Sequence, residues 1–148
     1  MERRLYAVDG NHDQRGDITL RLTRPEKSDL DRTAVLCGKP AGTLASGYVR
    51  EGVRRTRFPA VDFRDGTPGR VAYLTGTRWP VWMIVELVDE HGGKPDKAVE
   101  LVRRPLPLLR QALAYAAAYP EEIAASRELH TQRDFAAIQA VMPDLEQL

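Results

Sequence analysis

The sequence predicts a mainly α-helical protein with short β segments, and three observations carry that reading. Residues 18–23, Ile-Thr-Leu-Arg-Leu-Thr, alternate apolar and polar without a break, which is the period of a strand. Two helix-sized segments with one apolar stripe each follow at once and meet at Gly38. Beyond residue 57, one hairpin pattern leads into a series of helical patterns punctuated by Gly and Pro.

Each element has a local cause. Residues 1–16 lack sustained periodicity and are rich in Gly, Asn and Asp, so they read as a flexible arm. In the strand, Ile18, Leu20 and Leu22 share one face and Thr19, Arg21 and Thr23 the other. Thr23-Arg24-Pro25-Glu26 is a helix start: a capping hydroxyl, an early proline, and a carboxylate facing the dipole. Leu30, Ala34 and Cys37 form the stripe of this first helix, and Gly38 ends it. Pro40 opens the second helix, striped by Leu44, Ala45, Tyr48, Val49, Gly52 and Val53 and closed by Arg54-Arg55-Thr56-Arg57. Its glycines, Gly42, Gly47 and Gly52, each weaken it by up to ~1 kcal/mol relative to Ala. They suit a close helix approach in a dimer or a helix that needs its partner.

Pro59 breaks the pattern. Val61-Asp62-Phe63 and Val71-Ala72-Tyr73 flank a Gly/Pro loop and read as a hairpin. A helix with Val81, Ile84, Val85 and Val88 on its apolar side follows, ended by Gly92-Gly93. Then come a short helix from Pro95 to Val102, a turn at Arg103-Arg104-Pro105, a helix from Leu106 to Tyr119, and a further helix from Pro120 with an acidic first turn. From Leu129 a tail continues with helical apolar spacing at Phe135, Ile138 and Val141. The expected organisation is an arm (1–16), a strand-helix-helix unit (17–57), a hairpin-plus-helices unit (58–128) and a tail (129–148).

Composition excludes several classes. The chain has 148 residues, net charge +1 and one cysteine. No apolar run approaches the ~20 residues of a membrane span. Met1-Glu2-Arg3-Arg4-Leu5 offers no signal-peptide core, so a cytoplasmic location is expected. The charge is unevenly placed: residues 18–57 hold nine Lys/Arg against four Asp/Glu, whereas residues 111–148 hold two against six. A basic module that could meet phosphate stands opposite an acidic end that could meet something else.

A strand and two helices in about forty residues cannot bury a sufficient core alone, whereas two copies can. If the strands pair antiparallel across a twofold axis, Ile18, Leu20 and Leu22 of both chains cover a shared core, with Leu44 and Tyr48 completing it. Thr19, Arg21 and Thr23 then face outward as a two-stranded ribbon that fits the major groove, where a good bidentate contact gives ~1–3 kcal/mol of discrimination. The start of the second helix, at Ala41, Gly42 and Thr43 with Lys39 beside it, offers N–H groups to a DNA phosphate.

On these residues, ITLRLT, Leu30-Asp31-Arg32-Thr33-Ala34, Gly38 and Leu44 to Val53, segment 17–57 resembles the ribbon-helix-helix family of bacterial repressors and antitoxins. The resemblance implies an obligate dimer and operator binding through Thr19, Arg21 and Thr23. Gly42 departs from the pattern, standing near the family's frequent Ser or Thr, with Thr43 adjacent. Residues 58–125, through FRDGTPGRVAYLTGTRWPVWMIVELV and LPLLRQALAYAAAYPEEI, resemble domain of unknown function 433, an antitoxin-like helix-turn-helix group. That resemblance implies a compact helical unit behind a hairpin and a PIN-like nuclease toxin encoded nearby.

The remaining candidates have plainer readings. Helix-turn-helix spacing would place Arg103, Arg104, Arg110 and Gln111 around a recognition helix, but Pro105 and Pro107 mark a stiff turn, so they read as charges on a packing helix. Trp79, Trp82, Tyr115 and Tyr119 read as packing residues. Cys37 reads as a small buried residue, and His12, His91 and His130 lack ligand spacing, so neither metal nor cofactor is expected. No nucleophile elbow, phosphate loop or paired-acid motif points to an enzyme. The acidic tail could cover a cationic nuclease surface through Phe135, Ile138 and Val141, or fold back on its own domain. The expectation is a homodimeric, operator-binding antitoxin that represses its own operon and silences a PIN-like ribonuclease. The rivals are a stand-alone repressor with a helical sensor domain and a dimeric scaffold that does not bind DNA.

Overall fold

The computed structural model describes residues 16–66 and 69–141. They form six helices and one two-stranded antiparallel sheet: α1 (Arg24–Cys37), α2 (Ala41–Arg57), β1 (Val61–Asp65), β2 (Arg70–Leu74), α3 (Val81–Glu90), α4 (Asp96–Val102), α5 (Leu106–Ala118) and α6 (Pro120–Val141). The mainly α class with short β is therefore observed. The chain divides between Leu44 and Ala45 into two compact units.

In the first unit, α1 begins where its sequence says it should. Thr23 is extended, its hydroxyl accepts from the Glu26 N–H, and the Glu26 carboxylate accepts from the Thr23 N–H at 2.8 Å, a reciprocal capping box. Those contacts lower the Glu26 pKa, the bond from the Thr23 backbone contributing most. Gly38 ends the helix in the left-handed region at φ 61°, where a β-carbon would be strained, and its N–H returns to Ala34 and Val35. Ala34 and Leu44 are buried. Cys37 is exposed, contrary to the expectation of a buried residue. It is the last residue of α1, the chain turns away at Gly38, and the preceding Val35 and Leu36 are bare as well.

The second unit is built around α3, which packs against α4, α5, α6 and β2. Val81, Ile84 and Val88 recur at helical spacing and are buried, as the stripe predicted. In the hairpin, Val61 pairs with Leu74 and Phe63 with Ala72, which places those four on one face, all buried. Leu109, Ala112 and Tyr115 of α5, Ala98 and Val102 of α4, and Ile123 of α6 complete the core, with Trp79, Trp82 and Tyr119 packed on it. Segment 129–141 continues α6 without a break, because neither Gly nor Pro interrupts the helix between Pro120 and Val141. No helix among the described residues is long and apolar enough to cross a membrane.

Candidate nucleic-acid interface

Residues 16–23 carry no hydrogen-bonded regular structure in the single chain, and every one of them is exposed. The predicted strand thus has no ladder partner among the described residues. Its apolar members stand open: Ile18 is 77% exposed, Leu20 50% and Leu22 45%. Thr19 and Arg21 are also exposed, and none of the ion pairs among the described residues involves Arg21. Thr23 is the cap of α1, so its hydroxyl oxygen is engaged, leaving its hydrogen and methyl group for a ligand.

The start of α2 has the geometry of a phosphate contact. Its first helical hydrogen bond runs from the Leu44 N–H to the Pro40 carbonyl at 3.0 Å. The N–H groups of Ala41, Gly42 and Thr43 precede it and are among the donors that a helix cannot satisfy internally. Gly42, Thr43 and Lys39 are exposed. Of the proposed dimer-core residues on α2, Leu44 is already buried, whereas Tyr48 is half exposed with Val49 and Val53 of the same stripe. A β-carbon on Gly42, Gly47 or Gly52 would meet nothing within 4 Å in this chain.

From Ala45 onward α2 joins the second unit through ion pairs that sequence reading missed. Glu51, buried, accepts from Arg70 Nε at 2.6 Å and Nη2 at 3.0 Å, a bidentate contact, and pairs with Arg55 at 3.4 Å. The Glu51 hydrogen bonds hold the Arg70 pKa far above its ordinary value. Arg54 donates to Glu122 at 2.6 Å and to the Tyr115 hydroxyl at 2.8 Å, and its guanidinium lies 4.0 Å from the Tyr119 ring centre. The Tyr115 hydroxyl donates to Glu122 at 2.6 Å; burial, then that bond, pushes its pKa well above the usual phenol range. Arg70 lies 19 positions from Glu51, and Tyr115 and Glu122 lie 61 and 68 from Arg54, so no local pattern joins these pairs; Glu51 and Arg55 are four apart on one helix. Only the three arginines closing α2 gave a signal, and dipole compensation accounted for them without a partner.

Other predicted residues are placed as follows. Gln111 accepts the Ala60 N–H at 2.7 Å and so serves the hairpin, not a recognition surface. Arg103 and Arg110 are exposed and Arg104 is half-buried. Phe135, Ile138 and Val141 fall in α6, with side chains outside the described residues, as is the arm through residue 15. His91 meets the Leu87 carbonyl, and His130 lies against Trp82 and Asp134. Among the described residues no group of three or more His, Cys, Asp or Glu could hold a metal ion. An open cavity of about 330 Å³ lies between α3, α5 and α6, walled by Val85, Leu113, Ala116, Pro120, Ile123 and Arg127. The chain matches no protein-family profile, no curated protein and no solved structure.

Proposed function

We propose that this chain is a homodimeric DNA-binding antitoxin. Two copies of segment 18–23 pair antiparallel, bury Ile18, Leu20 and Leu22, and present Thr19, Arg21 and Thr23 to the major groove of a palindromic operator. Lys39 and the N–H groups of Ala41, Gly42 and Thr43 hold flanking phosphates. The acidic C-terminal region, with Phe135, Ile138 and Val141, covers a PIN-like ribonuclease.

One observation carries this reading. An alternating segment joined directly to a capped helix lies with every side chain exposed and no ladder partner among the described residues. Unpaired backbone donors and acceptors beside a bare apolar row are completed by a second identical edge. The exposed Val35 and Leu36 of α1 add apolar surface that a partner would cover.

The test is an operator shift on the duplex upstream of the coding sequence, paired with co-expression of the adjacent gene product. Arg21→Ala is expected to cost the ~1–3 kcal/mol of a bidentate base contact in each half-site while the protein stays dimeric. Operator binding unchanged by that substitution refutes base reading by the ribbon. Failure of the adjacent product to co-purify refutes the antitoxin assignment and leaves the stand-alone repressor.

A further inference from the structure

Two turns of the second unit meet at one corner. The first, Leu74 to Pro80, is heavily constrained. The Leu74 N–H bonds the Trp79 carbonyl at 3.0 Å, the buried Thr77 hydroxyl donates to the Leu74 carbonyl at 2.8 Å, and the Trp79 N–H returns to that hydroxyl at 3.1 Å. This frame fixes the backbone that carries Arg78, which is exposed. The second turn joins α4 to α5 at Arg103-Arg104-Pro105. Arg104 ties the two together, donating to its neighbour's carbonyl at Arg103 (3.0 Å) and across to Gly76 (3.2 Å).

The charges at this corner are uncompensated. Elsewhere in the unit Arg54, Arg55, Arg70 and Arg127 each pair with a carboxylate. Arg78, Arg103 and Arg104 take part in none of the ion pairs among the described residues. Arg50, Arg57, Arg64, Arg110 and Arg133 also lack one; Arg57 and Arg64 lie over the rings of Phe58 and Tyr73, and the others are single cations on helix surfaces. The stitch between the two turns thus concentrates positive charge on one short stretch of surface.

Arg103 supplies an independent observation. It is the one non-glycine residue with positive φ among the described residues, at 56°, in the C-cap position where glycine is the unstrained choice. The Gly38 cap does the same job at φ 61° with glycine. A long cation at a backbone position that is costly for any residue with a β-carbon marks Arg103 as a candidate for a side-chain role.

We propose that Arg78, Arg103 and Arg104 form an anion site that grips phosphates of the DNA backbone, an inference that rests on the DNA-binding reading above. Guanidinium forks match phosphate oxygens. Between residues 74 and 110 the only exposed large apolar side chain is Leu101, so the corner has charge with little apolar surface. That composition fits a phosphate contact better than an apolar protein hot spot. Such contacts position the protein and carry no base sequence, in keeping with the stiff Pro105–Pro107 turn.

The experiment measures duplex affinity against salt from 50 to 200 mM for the full-length protein and the double variant Arg78→Gln/Arg103→Gly, on the operator duplex and on one of random sequence. Arg104 stays in place because it stitches the turns, and glycine at 103 is compatible with the observed φ. Each phosphate contact contributes about 0.9 to the log–log salt slope, so losing two per protomer, four per dimer, should lower it by about 3.6 and weaken binding roughly a thousandfold at 0.15 M salt. The loss should be equal on both duplexes, with dimer mass as in the parent and a melting temperature no lower than the parent's. An unchanged slope overturns the proposal. An unchanged slope with loss of a co-expressed acidic protein overturns it in favour of a protein-docking corner. Should Arg21→Ala leave operator preference intact while the double variant still flattens the slope, the ribbon reading fails and the corner stands. A parent protein that binds no duplex overturns both.

Discussion

Truncating the open apolar row should weaken self-association without touching the stability of the isolated chain. Ile18 is the sharpest probe because it is 77% exposed in the single chain. Full burial of a side chain of this size is worth about 2 kcal/mol, so covering the exposed part of Ile18 in a ribbon contributes about 1.5 kcal/mol per protomer and about 3 kcal/mol per dimer. Ile18→Ala removes most of that, and at about 1.4 kcal/mol per tenfold the dimer dissociation constant should rise roughly a hundredfold. Leu20, half exposed, should respond less: Leu20→Ala loses about 1 kcal/mol per protomer and roughly thirtyfold in dissociation constant. Thr19→Ala, on the other face, should leave association within about threefold of the parent, since exposed substitutions cost within about 0.5 kcal/mol. Sedimentation equilibrium across nanomolar to micromolar protein gives the constants. A parent chain that stays monomeric, or equal effects of Ile18→Ala and Thr19→Ala, refutes the shared ribbon.

Three further outcomes follow from the packing. Gly38→Ala places a β-carbon at φ 61° and should cost about 1–2 kcal/mol, seen as a lower urea midpoint, although open space surrounds the site. Tyr115→Phe removes the hydroxyl shared by Arg54 and Glu122 while those two remain directly paired, so a loss of about 1–2 kcal/mol and a fall of several degrees in melting temperature are expected. Asp62 has its pKa lowered from 3.8, chiefly by the Phe63 N–H, against a desolvation that raises it, with Arg55 assisting. A lowered carboxylate stabilises the fold above its unfolded value and loses that contribution as pH falls through the folded one. Asp62→Asn should therefore flatten the decline of stability below pH 3.8, and an unchanged acid limb would show that the carboxylate contributes nothing.

From Arg24 onward the order of the elements was legible because their causes are local, whereas the strand read over 18–23 is not formed in the single chain and α6 runs through the expected boundary at 128. The Thr23 cap, the Gly38 stop, the paired hairpin strands and the stripe Val81, Ile84, Val88 each act within a few residues, and each appears where the pattern placed it. Cys37 failed for the opposite reason: its stripe was real, but whether a neighbour covers the last turn of a helix is not written in that helix.

By itself, then, the sequence determined a mainly helical chain with a half-apolar, half-polar segment 18–23 ahead of a capped helix, and a basic first part set against an acidic last part. Tertiary structure alone decided that Glu51, buried, clasps Arg70, that Arg54 reaches Tyr115 and Glu122 near the far end of the chain, and that the turns carrying Arg78 and Arg104 meet. Helix caps and stripes are fixed by neighbours in sequence, which a reader of the chain can see. Ion pairs and anion sites are fixed by which distant side chains share a place in space, and that depends on how the core around α3 closes.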